Sequence, residues 1–271
     1  MDQYLARIAA ALERIAPPPL PVADPAVHPA YVWQRGGLEE ARAFAPLPLG
    51  LLTGIDAQKE TLLANTRRLA AGHAAHDALL WGARGTGKSA LVKSVVGACQ
   101  AEGHAIALVE VAGDRLEALP ALFRTIAGVR RAFILFIDDL GFEEGADAPR
   151  ALRSLLEGGA EARPDNVRLY VTANRRHIVA RQATEQADAL SPRDAMDDKL
   201  ALADRFGLSL GFHVVDQATY LAMVERYAMR AGLPFDPADA ILWATQRGGR
   251  SGRVAWQYAV ELAGRAGRAM A

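Results

Sequence analysis

An α/β fold is what this 271-residue sequence predicts: a five-stranded parallel sheet with flanking helices, followed by a small all-helical C-terminal lid. Three observations predict it. Short apolar runs alternate with segments of helical period as far as residue 215. The run Ala78-Leu79-Leu80-Trp81 opens directly into Gly82-Ala83-Arg84-Gly85-Thr86-Gly87-Lys88-Ser89, the phosphate-binding loop pattern. Beyond Asp216 the strand signal stops and only helical spacing remains.

The loop pattern has a physical reason. Gly82, Gly85 and Gly87 let the backbone take positive φ and approach a bulky anion with no Cβ in the way. The loop N–H groups then converge as a nest, and the following helix adds the positive end of its dipole. The expected nucleotide-binding set is Gly82 to Ser89 with Ala90, holding ATP or ADP. Lys88 would reach the outer phosphates and Ser89 would ligate Mg²⁺. The flanks supply the strand–loop–helix context the pattern demands, with Ala90, Leu91, Val92, Val95 and Val96 at helical spacing downstream. The chain has only four lysines (Lys59, Lys88, Lys93 and Lys199), so a lysine at position 88 is not readily accidental.

Composition narrows the class. Hydrophobic residues make up 51%, enough for one large domain or a core with a small satellite. No long uncharged apolar run suggests a membrane span, and Arg7, Glu13 and Arg14 interrupt any secretory leader. The single cysteine, Cys99, excludes an internal disulfide and fits a reducing compartment, so a cytoplasmic location is expected. Zero formal net charge argues against strong whole-chain attraction to nucleic acid, though Arg163, Arg168, Arg175, Arg176 and Arg181 could supply a local basic patch.

In chain order, residues 1–16 read as an amphipathic helix with Leu5, Ile8, Leu12 and Ile15 on one face. Pro17, Pro18, Pro19, Pro21 and Pro25 make a stiff linker, and Tyr31-Val32-Trp33 a hydrophobic anchor. Residues 49–56 lead into a helix carrying Leu62, Leu63, Thr66 and Leu69. Their apolar side chains suit either a cover for an adenine ring or a buried turn. After the loop helix, strands are expected at 105–112, 133–137, 167–172 and 208–215. Helices are expected at 115–130, around Leu152, Leu155 and Leu156, and at 200–206, with a polar stretch over 181–199. Asp216 reads as an N-cap, and further helices start near Pro237 and after Gly248-Gly249. The expected domains are 1–30, an N-terminal helix and linker; 31–215, the nucleotide-binding core; and 216–271, the lid.

Asp138 and Asp139 end a purely apolar run. A carboxylate there belongs at the C-terminal edge of the sheet, where ligands bind. Asp138 would join Ser89 in holding Mg²⁺, and Asp139 would orient or deprotonate the attacking water. Together with Asn174 after the fourth strand, Arg205 before the fifth and the helical lid, these features resemble the AAA+ ATPases. More closely, Asp138-Asp139-Leu140-Gly141-Phe142-Glu143, Thr172-Ala173-Asn174-Arg175-Arg176-His177, Asp204-Arg205-Phe206-Gly207-Leu208 and Arg250-Ser251-Gly252-Arg253 resemble a bacterial family of uncharacterised ATP-binding proteins, domain of unknown function 815.

That resemblance implies roles residue by residue. Asn174 would be the first sensor, contacting the γ-phosphate or the lytic water. Arg205 would be an arginine finger acting in trans on a neighbour's nucleotide in a homo-oligomer, a ring or partial ring. Arg253 would be the second sensor, with Arg250 the weaker candidate. Guanidinium groups suit the charge that phosphoryl transfer spreads over oxygens. One departure stands out: most AAA+ proteins carry glutamate where this chain has Asp139. The shorter side chain withdraws the carboxylate by about one methylene, where roughly 1 Å matters, so hydrolysis would be slow or assisted by Glu143 or Glu144. The segment Gly113-Asp114-Arg115-Leu116 lacks the aromatic motif of a pore-threading loop. The function expected is Mg²⁺-dependent ATP hydrolysis that moves an unknown protein or nucleic-acid client. Alternatives are a nucleotide-gated scaffold with little turnover, a nucleic-acid-associated loader or initiator, and, more remotely, a small-molecule kinase.

Overall fold

The computed structural model describes residues 22–34, 37–141, 163–174 and 204–270, together with 3–5, 7, 152 and 156. Its elements are β1 (Ala30–Gln34), β2 (Gly37–Glu40), α1 (Asp56–Ala70), β3 (Ala78–Gly82), α2 (Lys88–Ala101), β4 (Ile106–Val111), α3 (Leu119–Ile126), β5 (Ala132–Ile137), β6 (Val167–Asn174) and β7 (Leu208–Phe212). Three helices follow: α4 (Gln217–Arg230), α5 (Pro237–Gln246) and α6 (Gly252–Arg265). The helices expected over 1–16 and around Leu152 to Gly159, the proline-rich stretch as far as Pro21, the stretch 181–199 and residues 200–203 lie outside the described residues, apart from the few positions just named. Among the described residues, no helix is long and apolar enough to cross a membrane.

The strands form one sheet in the order β2-β1-β4-β5-β6-β3-β7, parallel except for the antiparallel β1–β2 pair. Among the described residues this corrects the expected count of five strands to seven. The five expected strands are all present, and the run read as an anchor, Tyr31-Val32-Trp33, is a strand that covers the edge of β4. Its pairing, Tyr31 with Val109 and Trp33 with Val111, is non-local, and Tyr31 and Trp33 are buried on one face as period-two alternation requires. Without it, β4 would present a row of unpaired backbone groups.

The all-buried β5 shows how the sheet divides its core. Phe133, Leu135 and Ile137 pack with α3 residues Leu122, Phe123 and Ile126 on one face. Ile134 and Phe136 pack with Leu62 of α1 and Leu91, Val95 and Val96 of α2 on the other. The single helix expected over 115–130 is instead a 3-10 turn, Gly113–Ala118, followed by α3. Pro120 explains the break: it has no N–H to donate and is tolerated only in the first helical turn.

The last three helices have their own apolar cluster, built on Tyr220, Val224, Tyr227, Ala255 and Tyr258. Each begins at a side-chain cap. Asp216 accepts from the Thr219 N–H at 2.7 Å, Asp236 from Ala238 at 2.9 Å, and Ser251 from Val254 at 3.2 Å.

Candidate functional site

A cavity of about 630 Å³ opens where the C-terminal edge of the sheet meets the last helices, within the size range of small-molecule sites. Strand register builds it. Gly82 pairs with Asn174, and Ile137 with Val171, so Asp138 emerges beside Thr172 and the loop after β3 emerges beside Asn174. Arg84 to Ala90, Asp138, Asp139, Asn174 and Arg253 all line this one cavity.

The loop takes the shape its glycines allow. Gly82, Gly85 and Gly87 have φ of 142°, 75° and 95°, and Gly87 is the N-cap of α2. The Lys88 Nζ donates to the carbonyls of Gly82 at 3.0 Å and Ala83 at 2.7 Å, with the residue only 7% exposed. Burial pulls its pKa below the usual lysine value, while the carboxylates of Asp139 and Asp138 oppose the shift. The Ser89 hydroxyl donates to Asp138 Oδ1 at 2.6 Å.

Sequence reasoning assigns Thr172 no role, yet this residue ties the two carboxylates together. Its hydroxyl donates to Asp138 Oδ1 at 2.5 Å and accepts from the Asp139 N–H at 2.8 Å. Asp139 is the only non-glycine among the described residues with positive φ, 51°, and its Oδ1 accepts from Asn174 Nδ2. A strained backbone held by neighbouring hydrogen bonds recurs at functional sites. The one signal for Thr172 in the sequence is its place two residues before Asn174, on the same strand face. Under the expectation that Asp138 holds Mg²⁺, Thr172→Val should weaken Mg²⁺-dependent ATP binding about tenfold, as loss of a group orienting a metal ligand does. Calorimetric titration at low and high Mg²⁺ checks it.

The Mg²⁺ expectation is chemically consistent with this corner. A hydroxyl and a carboxylate oxygen converge within 2.6 Å, and hard oxygen donors are what the ion takes. No cluster of three or more His, Cys, Asp or Glu side chains suited to a metal occurs among the described residues.

Part of the lining is apolar: Leu47, Leu51, Leu52, Ile55, Met223, Tyr227 and Trp256. Leu52 and Ile55 belong to the core, as the buried-turn reading of residues 49–56 expects, and they also line the cavity. Tyr227 and Trp256 meet edge to face, centroids 5.2 Å apart. The start of α6 rests on the loop: a Cβ on Gly85 would lie 2.9 Å from the Ser251 hydroxyl, and the Arg253 N–H points to the Gly85 carbonyl at 3.4 Å. Both α2 and α6 thus bring their N-terminal ends, with positive dipole ends, to the cavity. Arg250 is elsewhere and donates to Gln217 at 3.0 Å.

Arg205 does not join the cluster. It precedes β7, which runs parallel to β3 with Leu208 opposite Ala78 and Phe212 opposite Gly82. Exposed Arg205 therefore lies near the start of the strands, while the loop lies at their finish, the length of a five-residue strand or about 16 Å away. Glu143, Glu144, Arg175, Arg176, His177 and Arg181 lie outside the described residues.

Comparison with known proteins bears on this arrangement. Residues 26–266 match the family described as "Protein of unknown function (DUF815)". No curated protein matches the chain. Among solved structures it resembles a point variant of Thermotoga maritima RuvB, with TM-score 0.53 and 17% identity over 82% of this chain and 66% of that one. A T. maritima RuvB structure described as a Holliday junction branch migration motor gives 0.50 and 15% over 82% and 67%. Aeropyrum pernix ORC1 in complex with DNA gives 0.55 and 17% over 81% and 63%. The chain thus spans about two thirds of the length of each. At these identities the likeness speaks for the fold alone, an α/β fold resembling that of the AAA+ P-loop NTPases.

Proposed function

The chain belongs to the DUF815 family, and from that premise, since the family's description assigns no activity, we propose that it is a Mg²⁺-dependent ATPase that hydrolyses ATP in an oligomer and converts turnover into movement of the helices after residue 216. One observation carries this reading: the Ser89 hydroxyl of the phosphate loop donates to Asp138 at the end of the neighbouring apolar strand, beside the buried ammonium of Lys88. Such a hydroxyl–carboxylate pair, next to a cation and a helix N-terminus, serves a metal-bound polyphosphate.

In this mechanism the loop amides and Lys88 hold the β- and γ-phosphates, and Leu52, Ile55, Met223 and Tyr227 enclose the base. Ser89 and Asp138 would hold Mg²⁺, which when bound neutralises charge developing on the phosphate oxygens. Asn174 positions the lytic water and Asp139. Asp139 accepts a proton from the water as the water oxygen bonds to the γ-phosphorus and the bond from that phosphorus to the ADP oxygen breaks. Arg253 from the lid and Arg205 from a neighbouring copy stabilise the charge on the transferring group.

A specific observation keeps a second reading, a nucleotide-gated scaffold with little turnover. The carboxylate assigned to the water is already engaged by the Asn174 amide and lies 3.7 Å from the Arg84 guanidinium. A nucleic-acid client is compatible with the likeness to ORC1, solved with DNA, and would show as salt-dependent binding. Phosphate release, measured alongside mass in solution without nucleotide, with ADP and with ATP, separates the readings. Turnover that rises with ATP-dependent assembly is expected, and Arg205→Ala should abolish it while ATP binding persists. Asp139→Glu should raise the rate about tenfold, by extending the base toward the water. An ATP-bound chain that releases no phosphate would support the scaffold.

A further inference from the structure

We propose that Arg84 is a sensor of the third phosphate, exchanging the Asp139 carboxylate for a nucleotide's γ-phosphoryl group and thereby releasing Asp139 for catalysis. This rests on the nucleotide reading above and gives the Arg84 side chain a role distinct from the loop backbone's.

The position is telling. Arg84 sits in the loop immediately before Gly85, so its backbone is part of the anion cradle while its side chain stands at the cavity mouth, 75% exposed. From there Nη2 lies 3.7 Å from Asp139 Oδ2, while Asp139 Oδ1 accepts from Asn174. Both carboxylate oxygens of the proposed base thus face positive or donating groups of the chain itself.

The two holds differ in strength. The Asn174 contact is a hydrogen bond, whereas 3.7 Å exceeds the usual hydrogen-bond range and the Arg84 pair is open to solvent. Exposed ion pairs of this kind are weak and easily exchanged. A terminal phosphoryl group carries more charge than a carboxylate, and its oxygens match the planar guanidinium fork two at a time. Arg84 lines the same cavity as Lys88, the ammonium assigned to the outer phosphates. A diphosphate lacks the group that would win the exchange. The chain would then distinguish ATP from ADP by a residue of its own loop, before any neighbouring arginine arrives.

The test is calorimetric binding of ADP and of non-hydrolysable adenylyl imidodiphosphate, both with Mg²⁺, to wild type, Arg84→Ala, Asp139→Asn and the double variant. Arg84→Ala is expected to weaken the triphosphate analogue about tenfold or more and ADP less than twofold, as removal of a charge-assisted phosphate contact does. Asp139→Asn, which frees the guanidinium, is expected to tighten analogue binding several-fold, and this gain should shrink in the Arg84→Ala background. Equal weakening of both nucleotides, weakening of neither, or an Asp139→Asn gain of the same size in both backgrounds would overturn the exchange. A wild-type chain that binds neither ADP nor the analogue would instead overturn the nucleotide reading beneath it, and the inference with it.

Discussion

Lys88→Ala is expected to lower ATP affinity by roughly ten- to hundredfold and phosphate release by about 10²–10³-fold. The ammonium is the cation most deeply set in the cavity, and its two present partners are carbonyls of the loop itself, Gly82 and Ala83. A group donating to neutral carbonyls can turn to phosphate oxygens at a gain, because the new bonds join opposite charges. No other lysine among the described residues lines the cavity. Lys93 pairs with Glu110 at 3.3 Å outside it, so Lys93→Ala should change both quantities by less than twofold. Calorimetry and a phosphate-release assay read the two effects, and a melting curve shows whether the variant is folded. Unchanged affinity in a folded Lys88→Ala chain would remove the basis for every role assigned around the loop.

Gly82→Ala should produce the largest loss of stability at any single site considered. Gly82 has φ of 142°, outside the range side chains favour, and an added Cβ would lie 2.0 Å from the Phe212 carbonyl oxygen. That oxygen also accepts from the Ala83 N–H at 3.3 Å, so β7 cannot withdraw without losing contact with the loop. The expected cost is about 4 kcal/mol, or roughly 10 °C in melting temperature for a chain of this size. Gly72→Ala is the comparison: φ is also positive, 75°, but nothing stands within 4 Å of the added carbon. Its cost should be about 1 kcal/mol, from backbone strain alone. Equal melting shifts for the two variants would mean that the approach of β7 to the loop is not tight.

Where the chemistry restricts the choice of residue, the sequence is legible. A cradle for an anion demands glycine at fixed spacings, so residues 82–89 stand out, and carboxylates ending an all-apolar strand point to Asp138 and Asp139. Asp216 can be read as a cap because few side chains satisfy the first turn of a helix. Illegible features share another cause: their meaning depends on residues far along the chain. Tyr31-Val32-Trp33 becomes a strand because β4 offers it an edge. Thr172 is an ordinary strand residue until β5 brings Asp138 beside it. Tyr227 and Trp256 have the spacing of helix core, and periodicity cannot distinguish a side chain packed on protein from one that walls a cavity. Arg205 is legible as a motif, but its distance from the chain's own loop requires the parallel register of β3 and β7.

That separation has a geometric consequence. An assembly that brings Arg205 to a neighbour's nucleotide docks the strand-start side of one copy against the strand-finish side of another, either reciprocally about a twofold axis or head to tail, and the head-to-tail contact has no such axis. Repetition of such a contact either closes into a cycle or climbs as a filament. In an arc that stays open, one terminal copy keeps a nucleotide pocket that no partner's guanidinium reaches, so an arc has one fewer fully equipped pocket than it has chains.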